Sequence, residues 1–240
     1  MSAEGVFLTA EWQHLAMLNY EVDAGLLLPF VPAGTELDRW NEKVFVSLVG
    51  FRFLKTRLFG FLPVPLHSNF EEVNLRFYVR RQAGTDVRRG VVFIREIVPR
   101  RAIAFVARTF YNENYVALSM DHEIRSAGDG RRVAYRWRTG KSWSGMSLET
   151  CGNSELPGDG SVEQFITEHY WGYAAQTDGG CLEYGVTHPS WRVWQARQAA
   201  CEGDAGKIYN KEFTAVLEGQ PHSAFLAEGS AVTVMQGRKL

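Results

Sequence analysis

Between Glu72 and Arg80 the chain reads EVNLRFYVR, with polar and apolar residues in strict alternation. In an extended strand Glu72, Asn74, Arg76, Tyr78 and Arg80 share one face, and Val73, Leu75, Phe77 and Val79 share the other. The polar face combines an acid/base group with a guanidinium able to grip a carboxylate or phosphate through two parallel hydrogen bonds. Such a row lines a pocket or simply faces water. Glu72 and Arg76 stand four residues apart, too far along one strand for an ideal ion pair. In a pocket wall they meet across a ligand, or each pairs with a neighbouring strand. Full exposure of both would exclude the pocket.

A second set of charges is Pro99-Arg100-Arg101, inside FIREIVPRRAIAFVAR (residues 93–108). Ala102, Phe105, Val106 and Thr109 recur at helical spacing, and Pro99 suits a first turn, so the pattern predicts a helix from Pro99 to Phe110. Arg100 and Arg101 then sit at the positive end of the helix dipole, where a bound anion or a carboxylate would offset the repulsion. The alternative is surface ion pairing, at about 0–1 kcal/mol for each exposed pair.

The remaining chemistry is sparse. No dinucleotide or P-loop glycine signature is present, and no G-x-S-x-G elbow. The six histidines form neither H-x-H nor H-E-x-x-H. Asp121-His122-Glu123 is the tightest cluster of ligand-type residues, but on a strand His122 points away from the two acids, which argues against a metal site. His169 is expected on a helix and His188-Pro189 in a turn; a general-base role for either needs proximity to Glu72, which the sequence does not show. Tyr78, Tyr115 and the tryptophans read as core or pocket-wall aromatics. The three cysteines, Cys151, Cys181 and Cys201, are widely spaced and odd in number, which disfavours both a disulfide framework and a structural zinc site. No cofactor is implied.

A net charge of −1 and the lack of a polybasic tract give no reason to expect nucleic acid or an anionic membrane as partner. No apolar run reaches the roughly 20 residues of a membrane helix, and the N-terminus does not read as a signal peptide, so a cytoplasmic location is expected. A homo-oligomer is compatible with everything above.

The elements that must position these residues are mostly strands. Asp23 is placed to cap a short helix, Ala24 to Leu28, ended by Pro29 and Pro32. Lys43 to Phe53, Glu72 to Arg80 and Gly90 to Ile97 read as strands, the last two joined as a hairpin through Ala83-Gly84-Thr85-Asp86. Residues 59–66, with two prolines, read as a loop or edge segment. Val116 to Arg125 and Arg131 to Arg138 suggest another hairpin around Gly128-Asp129-Gly130. Ser161-Val-Glu-Gln164 has the form of a capping box opening a helix to about Tyr170, and short strands follow around Leu182 to Val186 and Val193 to Ala196. With no repeat or linker, one mainly β (α+β) domain over residues 1–240 is expected.

The segment Phe70 to Val79 resembles the F-x-E-V-N-x-R-x-Y-V signature of the YqjF-like family. Trp12, Asn19 to Asp23, Leu28 to Pro32, Asn114-Tyr115, Phe165 to Tyr170 and His188 to Trp191 are also similar to that family. The family is regarded as a relative of acetoacetate decarboxylase, which implies a cone-shaped antiparallel β barrel with an internal pocket and a few short peripheral helices. In the decarboxylase a Y-x-E-V strand precedes G-R-E-x-x-G-x-P-K-K, which carries the Schiff-base lysine. Arg95, Glu96 and Pro99-Arg100-Arg101 resemble that second element, shortened by two residues and with both lysines replaced. Arginine stays charged and is a poor nucleophile, so Schiff-base chemistry is excluded at those positions. Lys141, in another turn, is the remaining candidate amine.

The resulting expectation is a small acidic or polar ligand in a barrel pocket. Arg76, Asn74, Glu96, Arg100, Arg101 and Tyr115 are the candidate binding residues, and Glu72 the candidate acid/base. An enzyme acting on a small carbonyl or carboxylate compound through Glu72 and Arg76 is one alternative, and a structural or protein-interaction role another.

Overall fold

The alternating strand at Glu72 extends in both directions in the structure, a computed structural model that describes residues 5–63, 68–100, 112, 114–204 and 207–240. It becomes β5, Phe70–Ala83, after β1 (Val6–Val22), β2 (Glu36–Leu37), β3 (Val44–Leu58) and β4 (Leu62–Pro63). The following strands are β6 (Asp86–Val98), β7 (Tyr115–Ala117), β8 (Ser119–Ala127), β9 (Gly130–Thr139) and β10 (Ser142–Thr150). The last five are β11 (Trp171–Ala175), β12 (Cys181–Thr187), β13 (Val193–Glu202), β14 (Ser223–Met235) and β15 (Arg238–Lys239). The described helices are short: α1 (Ala24–Leu27), a 3-10 turn at Leu28–Phe30, α2 (Val162–Thr167) and α3 (Lys211–Leu217).

The strand order β12-β11-β6-β5-β3-β1-β14 closes on itself through Val186↔Val234 and Thr187↔Thr233, which pair β12 with β14. This circuit is the connectivity of a barrel. It is not wholly antiparallel as expected: β11 runs parallel to β6 at Trp171↔Gly90, and β7 runs parallel to β6 at Glu96↔Tyr115. From β14 the order continues through β13, β10, β9 and β8 as a second sheet.

Alternation in β5 assigns its two faces to two cores. Val73, Leu75, Phe77 and Val79 pack with Val133, Tyr135, Trp137, Met146 and Leu148 of β9 and β10. The second sheet therefore covers that face of the ring. Phe70 and Tyr78 belong to the other core, with Met17, Phe45, Val49, Phe165, Trp191 and Phe225. This inner face, turned away from the second sheet, also carries Glu72, Asn74 and Arg76. The two layers approach closely at Gly50, where a Cβ would lie 2.5 Å from Cδ2 of Tyr135 and 2.9 Å from Sδ of Met146.

Local signals account for several elements. The Asp23 carboxylate accepts the Gly25 N–H at 2.7 Å and caps α1. Ser161 accepts the Gln164 N–H at 3.1 Å, while the Gln164 side chain accepts the Gly160 N–H at 2.8 Å. Gly84, with φ 65°, and Thr85 turn β5 into β6, which pair from Ala83↔Asp86 onward.

Other elements depart from the sequence pattern. The capped helix stops at Thr167, because Glu168 leaves helical geometry at φ −101°, ψ 55°. His169 is thus beyond the helix. The expected strand from Val116 divides at Leu118, so that β7 pairs with β6 in the ring and β8 with β9 in the second sheet. The strands near Leu182 and Val193 are longer than their apolar runs. β1 and α3 had no clear periodic signal; β1 is interrupted by register shifts between Thr9/Glu11 and Gln13/Ala16, which break its alternation. Of the expected helix from Pro99 to Phe110, residues 101–110, Arg101 among them, lie outside the described residues. No described helix is long and apolar enough to cross a membrane.

Candidate functional site

β5 places Glu72 opposite Phe51 of β3, and Asn74 between Val49 of β3 and Glu96 of β6. Phe51, Phe70 and Val49 are buried around them, so the Glu72 carboxyl is removed from water and the residue is only 3% exposed. The Asn74 amide donates to Glu72 Oε1 at 3.0 Å, and the Tyr115 hydroxyl donates to Oε2 at 3.2 Å. Burial pushes the Glu72 carboxyl up to about 7, against the opposing effects of those two hydrogen bonds and of the Arg76 charge. A buried acid in that range exchanges a proton near neutrality. Glu96 and Tyr115 are both buried and are register partners across β6 and β7.

Arg76 is half-buried. Its Nη2 reaches the Ile166 carbonyl at 3.5 Å, and its guanidinium carbon lies 5.7 Å from the Tyr78 ring centroid. Among the described residues it makes no ion pair, and its buried Nε has no hydrogen-bond partner. The buried Oδ1 of Asn74 likewise has no partner among the described residues. Glu72 is therefore buried and Arg76 half-buried, and no ion pair joins them. Arg100 is exposed just beyond the end of β6. Lys141 is exposed at the β9–β10 turn, away from the inner face.

Beyond Arg76, Tyr78 begins a buried polar chain. Ser47 donates to Asn19 Oδ1 at 2.6 Å, so Tyr78 donates to Ser47 Oγ, also at 2.6 Å, and Asn19 Nδ2 donates to Ser223 at 3.1 Å. His169 packs on the other side of Tyr78, with ring centroids 4.7 Å apart. Its Nε2 lies 3.0 Å from Oδ2 of Asp38, which also accepts the Arg89 Nε–H at 2.7 Å. Burial pushes the His169 imidazole down to about 4; the Asp38 hydrogen bond opposes this, and the Arg89 and Arg76 charges add to it. Burial raises the Asp38 carboxyl, but the hydrogen bonds from His169 and Arg89 outweigh it and hold it at about 2. Asp38 and Arg89 gave no sequence signal, because Asp38 and His169 are 131 residues apart and meet only through the ring. His188 stacks on Trp191 at 4.0 Å between centroids, and burial together with the Arg76 charge lowers its imidazole.

Two other features lie elsewhere. A groove of about 710 Å³ runs between β10, β13 and residues 220–224, lined by Arg132, Glu149, Arg197 and His222 among others, and by none of the sequence-expected site residues. The Asp121-His122-Glu123 cluster is dispersed, with His122 on Glu71 at 2.6 Å and Glu123 on Arg125 and Arg136. No group of three metal-ligand side chains occurs among the described residues.

With these features in place, comparison with known proteins is decisive for kinship. The family DUF2071, described as an uncharacterized conserved protein family, matches residues 9–231. The chain belongs to this family. Uncharacterized protein YqjF of Bacillus subtilis (strain 168) is 29% identical over 122 residues. That match covers 50% of this chain and 48% of YqjF, so the chain spans about half the length of the curated relative it matches. The fold is that of acetoacetate decarboxylase-like proteins. The acetoacetate decarboxylase of Legionella pneumophila superposes with a TM-score of 0.66 at 13% identity, over 98% of this chain and 87% of that one. The enduracididine biosynthesis enzyme MppR complexed with pyruvate gives 0.67 at 11% identity, over 97% and 90%. At such identities the likeness speaks for the fold of this DUF2071 protein and not for its chemistry.

Proposed function

We propose that this DUF2071 protein binds a small carboxylic acid or similar anion on the inner face of the ring, anchored by Arg76 and without Schiff-base chemistry. The observation that carries the reading is the half-buried Arg76, whose Nε has no partner among the described residues and which makes no ion pair there. A guanidinium withdrawn from water gains most from a carboxylate that accepts two parallel hydrogen bonds. Asn74 and Tyr115 hold Glu72 on the same face, and Glu96 lies next to Asn74 in register. MppR, of the same fold, has been seen with pyruvate, a small carboxylate of this class.

A second reading, an enzyme for a small carbonyl or carboxylate compound, is favoured by one specific observation. Glu72, at about 7, has the proton affinity of a general acid/base at neutral pH. Thermal melting of the wild type and of Arg76→Ala with acetate, pyruvate, lactate and succinate tests the binding reading. A ligand at about 100 times its Kd stabilises by about 2.7 kcal/mol, several degrees for a chain of this size. The expected result is a shift in the wild type that disappears in a folded Arg76→Ala. A shift surviving the substitution would move the site away from β5. Glu72→Gln separates the two readings: loss of turnover with binding retained identifies an enzyme, and binding without turnover in either protein identifies a carrier or sensor.

A further inference from the structure

We propose that the carboxylic acid bound at Arg76 carries a hydroxyl, or another hydrogen-bond donor, that is received by Nδ1 of His169. The inference rests on the carboxylate site just proposed and names its ligand class as hydroxy acids rather than keto acids.

The argument begins at Asp38. Its Oδ2 accepts from Arg89 Nε at 2.7 Å and its Oδ1 from the Arg39 backbone N–H at 3.0 Å, so it is an acceptor on every side. The His169 Nε2 facing Oδ2 at 3.0 Å must therefore carry a proton. In the neutral imidazole that leaves a lone pair on Nδ1, making this atom an acceptor. Nδ1 is buried, the His169 side chain is only 1% exposed, and Nδ1 has no hydrogen-bond partner among the described residues. Its ring is held between Tyr78, at 4.7 Å, and Phe165, at 5.1 Å, which fixes its orientation. Burial among aromatic rings keeps the imidazole neutral.

Arg76 approaches the same ring. Its guanidinium lies over the Tyr78 ring and touches the carbonyl of Ile166, three residues before His169. Arg76 thus presents an unpartnered donor and His169 an unpartnered acceptor, both next to the Tyr78 ring. A carboxylate satisfies the first and a hydroxyl the second. A 2-keto acid places only an acceptor where the hydroxyl would be, opposite another lone pair. A site built to hydrogen-bond a hydroxyl rejects analogues that lack it, because its own buried group is then left unpaired.

The test is calorimetric titration of the full chain with three matched acids, lactate, pyruvate and propionate, and with malate against succinate. It is run on the wild type, Arg76→Ala and His169→Phe. The expected result is that each hydroxy acid binds about tenfold or more tightly than its partner without the hydroxyl. In His169→Phe that ratio falls to near one. A ratio near one in the wild type, or one retained in His169→Phe, overturns the hydroxyl assignment and leaves the carboxylate site standing. Failure of all five acids to bind the wild type overturns both. Nitrogen-15 spectra of histidine-labelled wild type provide a readout independent of any variant's folding. The Nδ1 resonance of His169 should be that of an unprotonated nitrogen and should move on adding lactate but not propionate. A protonated Nδ1 in the unliganded protein would also overturn the proposal.

Discussion

Glu72 shows how a residue's neighbours decide its chemistry. Its folded carboxyl titrates near 7 and its unfolded one near 4.5, so between those values the unfolded chain gives up a proton that the folded chain keeps. Stability is therefore undiminished below pH 4.5, falls as pH rises toward 7, and stays reduced above it. The interval corresponds to about 3 kcal/mol. Glu72→Gln removes the titration, so chemical denaturation should show the variant gaining on the wild type from pH 5 to pH 8. Parallel pH profiles for the two proteins would mean that Glu72 titrates normally. The candidate site was legible in sequence to the extent that Glu72, Asn74 and Arg76 alternate on one face. Their burial was not legible, because a polar row on a strand is equally suited to water. Asp38 and His169 were illegible as a pair: a hydrogen bond between residues so distant in the chain depends on strand order, which no local pattern encodes.

At the level of elements, signals confined to a few residues held. The Asp23 cap, the Ser161 cap with its Gln164 side chain and the Gly84 turn are satisfied by hydrogen bonds or dihedrals within four residues. An element whose form depends on distant partners departed from the pattern, as in the division of one apolar run into β7 and β8. The contact between layers at Gly50 gives a prediction at this scale. Gly50→Ala should destabilise the protein by about 1–3 kcal/mol, read from urea unfolding, because the Cβ would meet Tyr135 and Met146 well inside contact distance. A neutral effect would show that the second sheet yields easily at this point.

For the whole molecule, β5, β6, β11, β12 and β15 are tied together by a charge cluster on the face opposite the site. Glu183 of β12 is fully buried and receives Arg81 of β5, Arg88 of β6, Arg238 of β15 and the Tyr173 hydroxyl of β11. Burial acts to raise its carboxyl, but Arg238, Tyr173 and Arg88 outweigh it and hold the group below the usual carboxylate range. Its contribution is present above the ordinary glutamate range and is lost as pH falls through the folded value. Glu183→Ala leaves three arginines in mutual repulsion, and the expected loss is about 3 kcal/mol. Urea unfolding at pH 7 measures it, and the difference from wild type should shrink in acid. A loss below about 1 kcal/mol would show that the cluster is no more than a set of surface pairs.

The sequence alone determined the alternation of β5, the caps, the hairpin turns and the resemblance to the YqjF-like family. Each of these is a property of neighbouring residues or of residue identity. Only the tertiary structure decided that Glu72, Asn74 and Tyr78 are turned away from water, that Glu72 is held by Asn74 and Tyr115, and that Asp38 orients His169. Those outcomes depend on which strands become neighbours when the ring closes and on how much water the second core excludes. Both are set by long-range packing, to which a local stretch of chain carries no key.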